Sequence, residues 1–237
     1  MDERIKAIRE SEKRSHIEMY SNEELYKTDS WLRKPIKTII ELMPLFEAYK
    51  QLKVLDLGCG VGRNCISIAK LYDHIDCMIE CVDILPLAIE KLYSNAKEYG
   101  VADNIHGAVS TIEDYTIKDG YFDLVIAVSA LEHVAEERNF VAKLNEIRDG
   151  VRENGIACLV INSDVHEYSK ATGEPQAAQF EVNLPTTELQ GILSSVFAGW
   201  SILKSSVREQ RYDIPRENGI SDLTTSVVTY VVRKMKV

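Results

Sequence analysis

The segment Val54-Leu-Asp-Leu-Gly-Cys-Gly-Val-Gly-Arg-Asn64 constrains this chain more than any other. An apolar run that ends on an acidic residue and then on alternating glycines reads as a buried strand entering a tight loop, with a helix directly after it. Glycines at the C-terminal end of a first strand let backbone approach a ligand, and the N-terminus of the following helix offers unpaired N–H groups. A nucleotide-like ligand at the switch point of an α/β sheet is implied. Asp56 stands two residues before Gly58, where a carboxylate repels a pyrophosphate and pairs with an ammonium group. Glycines at 58, 60 and 62 with Arg63 after them do not make G-x-G-x-x-G, so a nicotinamide or flavin dinucleotide is the weaker reading. A ligand with a cationic amino-acid part is the stronger one.

The rest of the chain supplies the sheet. Apolar runs at Val54–Leu57, Met78–Val82, Ile105–Val109, Leu124–Ser129 and Ile156–Ile161 alternate with helix-like stretches at 63–71, 85–99 and 134–151. Short, continuously apolar strands separated by helices predict a parallel sheet covered on both faces. Trp31–Phe46 has apolar residues at helical spacing with Pro35 in its first turn. Residues 162–183 are polar and loop-rich, a helix follows at 186–197, and two strand-like runs (Trp200–Ser206 and Ser226–Val232) close the chain, separated by a polar stretch. The second strand ends on Asp83, 27 residues after Asp56. A carboxylate there can take both ribose hydroxyls, or it can cap the helix that starts near Pro86.

Charge narrows the partners. The chain of 237 residues carries 28 basic and 37 acidic side chains, a net charge of −9. Residues 1–34 hold eight of each, so the whole surplus lies in the other 203. An acidic balance disfavours nucleic acid and anionic membrane surfaces, both of which need excess Lys and Arg. No basic leader with an apolar stretch and no 18-residue apolar window is present, and a cytoplasmic protein is expected. The five cysteines lie in or beside apolar runs, as reduced thiols do; Cys77 and Cys81 form C-x3-C without a matching pair, and no metal is expected.

With these residues in view, the chain resembles the class I S-adenosylmethionine-dependent methyltransferases over about residues 50–162. VLDLGCGVGRN looks like the first motif of that family, ECVDILPLAIEKL the second, VSTIEDY the third and YFDLVIAVSALEHV the fourth. The resemblance implies an α/β, Rossmann-like, doubly wound seven-stranded sheet, mostly parallel with the last strand antiparallel, and helices on both faces. It implies S-adenosyl-L-methionine as cofactor and S-adenosyl-L-homocysteine as product. Gly58, Cys59 and Gly60 would lie along the methionine part, Asp56 near its amino group, Asp83 on the ribose and Ile84 on the adenine face. Thr111 stands where the family usually places an acidic residue near the adenine, followed by Ile112 and Glu113, and Val128, Ser129 and Leu131 would line the floor below the sulfonium. A further likeness to the tellurite-resistance (TehB-like) branch rests on GCGVGRN with Asn64, on NEELYKTDSW and on the C-terminal pattern.

Methyl transfer from a sulfonium needs positioning more than a protein nucleophile, and a general base only where the acceptor must lose a proton. His133 is the histidine placed to serve, against the alternative that Glu132-His133 starts the next helix. Val128-Ser-Ala-Leu131 in place of Asn-Pro-Pro-Tyr argues against adenine and glutamine-amide acceptors, as the resemblance implies. A small-molecule acceptor is therefore expected, selected by residues 1–34 as an N-terminal helical extension or lid and by 163–183 as an insert in a methyltransferase domain spanning 35–237. Tyr26, Trp31, Tyr168 and Arg211 are acceptor candidates, with Phe180 and Arg208 beside them. The alternatives are a non-catalytic S-adenosylmethionine-binding sensor or partner subunit and an NAD-dependent oxidoreductase. The sequence sets neither the acceptor nor the oligomeric state.

Overall fold

Alternation along the short strands decides how the sheet is covered. In the computed structural model, which describes residues 3–216 and 219–236, β1 (Gln51–Leu57) sends Val54 and Asp56 to one face and Leu55 and Leu57 to the other. Met1, Asp2 and Val237, the outermost residues of the two expected segments, lie outside the described residues. β2 (Asp76–Asp83), β3 (Ile105–Val109), β4 (Phe122–Val128) and β5 (Val151–Ser169) join β1 in parallel pairs. β7 (Ser201–Arg216) and β8 (Gly219–Arg233) complete the order β3-β2-β1-β4-β5-β8-β7, in which β8 runs antiparallel to both neighbours. The seven-stranded path and its single reversed strand are those expected. A two-residue β6 (Pro175–Gln176) pairs with β5 off that path.

Two apolar layers sandwich the sheet. Val54, Ile79, Leu124, Ile126 and Cys158 pack with Ile66 and Ile68 of α3 (Cys65–Leu71) and Ala88 and Leu92 of α4 (Pro86–Glu98). Leu55, Val125, Ala157 and Leu159 pack with Phe140, Leu144 and Ile147 of α5 (Glu137–Gly150) and Leu189 and Leu193 of α6 (Thr186–Val196). Each large side chain so buried contributes on the order of 1.5–3 kcal/mol. All five cysteines are free and buried, Cys77 and Cys81 within β2.

Three expectations are corrected. The helix expected over 31–46 is confined to α2 (Lys37–Leu42) and a 3-10 turn at Met43–Phe46. Pro35 lies before the N-cap Ile36, because a residue preceding proline is pushed out of helical geometry, and Pro44 cannot continue the α ladder. The helix expected from residue 134 begins at Glu137, after a separate 3-10 turn at Leu131–His133. Much of the polar tail is strand: β5 runs on to Ser169, and β7 and β8 pair through the stretch read as a separator. Main-chain hydrogen bonds hold such an arm without an apolar face, so hydropathy does not mark it.

The N-terminal segment is also more than a solvated helix. In α1 (Glu3–Asn22), Ile5, Ile8 and Tyr20 are buried while the charged residues between them reach other elements. Lys91 of α4 donates to the Tyr20 carbonyl, Tyr99 donates to the Leu25 carbonyl at 2.9 Å, and Tyr26 donates to the Arg63 carbonyl at 2.7 Å. Residues 3–36 are thereby fastened across the carboxyl end of the sheet.

Candidate active site

The carboxyl ends of β1, β2 and β4 meet at the point where strand order reverses. Gly58 and Gly60 adopt φ of +72° and +53°, which side chains disfavour, and both are also packed too closely for a Cβ. At Gly58 it would stand 2.4 Å from Ala130 Cβ, and at Gly60 2.7 Å from the Tyr20 hydroxyl. The loop is pinned by N–H bonds from Gly58 and Cys59 to the Val82 carbonyl at 2.8 and 3.0 Å, and from Gly60 to Asp83 Oδ2 at 2.9 Å. Asp83 Oδ1 accepts from the Leu85 N–H at 2.9 Å, and Leu85, not Asp83, is the N-cap of α4. Both oxygens keep lone pairs, and burial raises the carboxyl's pKa against the pull of those two backbone bonds.

Asp56 is the orphan of the site. It is 1% exposed, and its Oδ2 has no hydrogen-bond partner among the described residues. Burial, opposed by Arg63 and reinforced by Asp83, pushes its pKa up to about 7. A buried, unpaired carboxylate costs stability that a cationic group would recover. Asp56, Asp83 and the glycine cradle thus form a fitting socket for the ammonium and ribose of an S-adenosylmethionine-like molecule.

The other expected donor contacts fall around this socket in different states. Ile84 is 48% exposed beside Asp83, Leu131 is fully buried, and Ser129 adopts φ of +49° while donating its N–H to the Val160 carbonyl at 2.8 Å. Asn64 accepts from the Ile36 N–H through its Oδ1 at 3.1 Å. Thr111 closes a turn with Asp114, its hydroxyl donating to Oδ2 at 2.7 Å, and Ile112 packs on the α5 layer. Glu113 accepts from Arg9 and from the Ala135 N–H, so its carboxylate joins α1 to the segment after the 3-10 turn. Val128 packs on the α3 and α4 layer.

A second cluster gathers around His133. Its Nδ1 lies 2.9 Å from Glu181 Oε2, and its ring stacks on Phe180 with centroids 5.2 Å apart. Glu181 Oε1 also accepts from Arg9 Nε at 3.4 Å, while Arg4 donates to the Glu181 carbonyl at 3.0 Å. Burial opposes charging of the ring, but the Glu181 hydrogen bond and the charges of Glu132, Glu12 and Glu181 push the His133 pKa up to about 9. Glu132 itself is a strut: its Oε1 accepts from Asn162 N and Nδ2 at 3.1 and 2.5 Å.

Of the acceptor candidates, Tyr26 seats on the first loop through Arg63, and Trp31, 61% exposed, lies over the Arg63 guanidinium at 5.2 Å. Tyr168 lines a cavity of about 430 Å³ with Arg4, Val165, Phe180, Glu181 and Asn183. Arg211 is paired with Asp222 on the β7–β8 arm, apart from the His133 cluster. Sequence reasoning passed over Arg9, Tyr20 and Glu181. Their motifs are silent, because isolated charged or aromatic residues show a partner only once the chain has folded.

Among described residues no His, Cys, Asp or Glu cluster suits a metal ion, and no helix is long and apolar enough to cross a membrane. Residues 54–155 match the family model described as "Methyltransferase domain". Ajmaline N-methyltransferase of Rauvolfia serpentina is 31% identical over 49% of this chain and 38% of its own length. Ubiquinone biosynthesis O-methyltransferase of Rickettsia akari is 31% identical over 51% of this chain and 43% of its own. The chain therefore spans less than half the length of these curated relatives. Its fold superposes on TehB from Haemophilus influenzae with a TM-score of 0.61 at 18% identity, covering 84% of this chain and 62% of that one. Residues 54–155 thus match a methyltransferase domain, set in the Rossmann-like fold of class I S-adenosylmethionine-dependent methyltransferases.

Proposed function

We propose that the protein transfers a methyl group from S-adenosylmethionine to a small-molecule acceptor. The observation that carries this reading is buried Asp56, whose Oδ2 has no hydrogen-bond partner among the described residues, beside a glycine cradle tied to Asp83 at the sheet's switch point. When bound, S-adenosylmethionine supplies a methyl group already activated on a sulfonium and open to in-line displacement. Asp56 holds the amino group and Asp83 the ribose, while Gly58, Cys59 and Gly60 run along the methionine part. Ile84 covers the adenine with Thr111 and Ile112 nearby, and Val128, Ser129 and Leu131 form the floor.

Residues 1–34 act as the lid and 163–183 as the acceptor-side insert of the domain spanning 35–237. The ion pairs from α1 to Glu113 and Glu181 support the lid, since they close the carboxyl end of the sheet against water. His133 moves a proton where the acceptor carries one, and Tyr168 and Tyr26 help shape the acceptor's approach.

Calorimetric titration with S-adenosylhomocysteine and with NAD tests the donor, and micromolar binding of NAD alone would sink the proposal. Turnover is tested with labelled methyl donor against thiols, tellurite, selenite, phenols and amines. Methylation of at least one small molecule is expected. Donor binding with no turnover on any class would favour a sensor.

A further inference from the structure

Glu181 joins three parts of the molecule that are far apart in sequence. His133 Nδ1 is 2.9 Å from its Oε2, Arg9 Nε of α1 is 3.4 Å from its Oε1, and Arg4 grips its carbonyl at 3.0 Å. The Glu181 side chain is only 2% exposed, and the Val182 N–H donates to the Glu132 carbonyl at 3.0 Å, which fixes the insert against the turn that carries His133. A buried carboxylate beside an imidazole nitrogen orders the ring, because the nitrogen facing it must carry a proton. We infer that Glu181 is a positioning residue for His133, holding the ring with Nδ1–H toward the carboxylate so that Nε2 alone can exchange a proton with a methyl acceptor.

The inference rests on the reading of the protein as a methyltransferase and assigns a role to a residue outside the matched domain segment. In the proton step the acceptor's X–H bond breaks, its electron pair stays on X, and the proton goes to Nε2. The imidazolium so formed is stabilised by Glu181 and later returns the proton to water. Arg9 makes the arrangement conditional on α1, since it shares the same carboxylate and also grips Glu113. The groups facing the ring are Glu181 of the insert, Glu132 of its own turn and Glu12 of α1, all carboxylates that favour the charged ring. With the pKa at about 9, the neutral ring is the minor form at pH 7, and turnover on a proton-bearing acceptor rises with pH toward that value.

The test is nitrogen-15 NMR of the full-length protein labelled at histidine, titrated with and without S-adenosylhomocysteine, the His133 signal being assigned by its loss in His133→Gln. Expected is a neutral ring protonated at Nδ1 in the wild type, a midpoint about one pH unit lower or more in Glu181→Gln, and a return toward wild type in Glu181→Asp. An unchanged midpoint in Glu181→Gln overturns the inference. Should that variant fail to fold, a wild-type neutral ring protonated at Nε2 overturns it as well. On any acceptor that the panel identifies, Glu181→Gln should lower kcat about tenfold or more and move the acidic limb of the pH profile downward, with the KM for S-adenosylmethionine unchanged. A loss of stability alone would leave both limb and midpoint in place. An inactive panel counts against the methyltransferase reading, whereas the NMR result decides the Glu181–His133 relationship by itself.

Discussion

The N–H of Gly60 donates to Asp83 Oδ2 at 2.9 Å, so the loop after the first strand is shaped by the last residue of the second. Replacing Asp83 by Ala removes that brace together with the proposed ribose contact. Affinity for S-adenosylhomocysteine should fall about 100-fold or more in calorimetry, since hydrogen bonds to a charged group are worth roughly 1.5–3 kcal/mol each. Unchanged affinity would show the ribose assignment to be wrong.

Asp56 gives a pH-dependent signature in the ligand-free protein. Burial lifts its pKa from the ordinary carboxylate value near 3.8 to about 7 on folding, so the folded state binds the proton more tightly. Its contribution to stability therefore falls as pH rises from about 4 to 7 and stays low above that. Asp56→Asn should melt higher than wild type at pH 8, with the gap closing toward pH 4, while losing donor affinity. A gap independent of pH would place the carboxylate's titration elsewhere.

His133 gives a slope of the same sign at higher pH. Its folded pKa of about 9 lies above the ordinary 6.5, so the stabilisation it contributes is complete below about pH 6.5 and is lost as pH rises through 9. Thermal melts of wild type and His133→Gln should differ most at pH 6 and converge by pH 10. Divergence with rising pH would contradict the ion pair with Glu181.

Tyr20 has its hydroxyl 2.7 Å from where a Gly60 side chain would begin, which sets α1 against the glycine loop, as the proposed lid requires. Stopped-flow dissociation of S-adenosylhomocysteine should accelerate about tenfold or more in Tyr20→Ala, the hallmark of a removed cover. An unaltered off-rate would mean that α1 does not gate the site.

Arg9 ties α1 to the rest of the molecule. Its side chain is 17% exposed and pairs with Glu113 and Glu181, so Arg9→Ala removes the cation shared by two carboxylates, leaving Glu181 to His133 and Glu113 to the Ala135 N–H. Limited trypsin digestion at Lys13 and Arg14 should quicken while the sheet core stays resistant. Equal cleavage rates would show that packing of Ile5 and Ile8 holds α1 unaided.

Much of the architecture was legible in the residues themselves. Apolar runs ending on Asp56, Asp83 and Val128 sit at short range in the sequence, and the strand, loop and helix around each glycine are local consequences of backbone sterics and burial. The glycine loop and the carboxylates proposed to hold the donor were legible as strand ends for the same reason, since they lie on adjoining strands. The β7–β8 arm was not, because β7 is largely exposed along its length and the alternate buried positions in the first part of β8 include the polar Ser221 and Thr225, so no hydropathy period marks it. The His133 cluster was not either. Arg9, Glu113, His133 and Glu181 are separated by as many as 172 residues, and only the tertiary structure, by laying α1 and the insert across the ends of β4 and β5, brings their charges to hydrogen-bonding distance. Sequence by itself determined the parallel strands and the glycine loop, which follow from local pattern. The closure over them was decided by long-range electrostatics, which act only between groups that folding has already placed together.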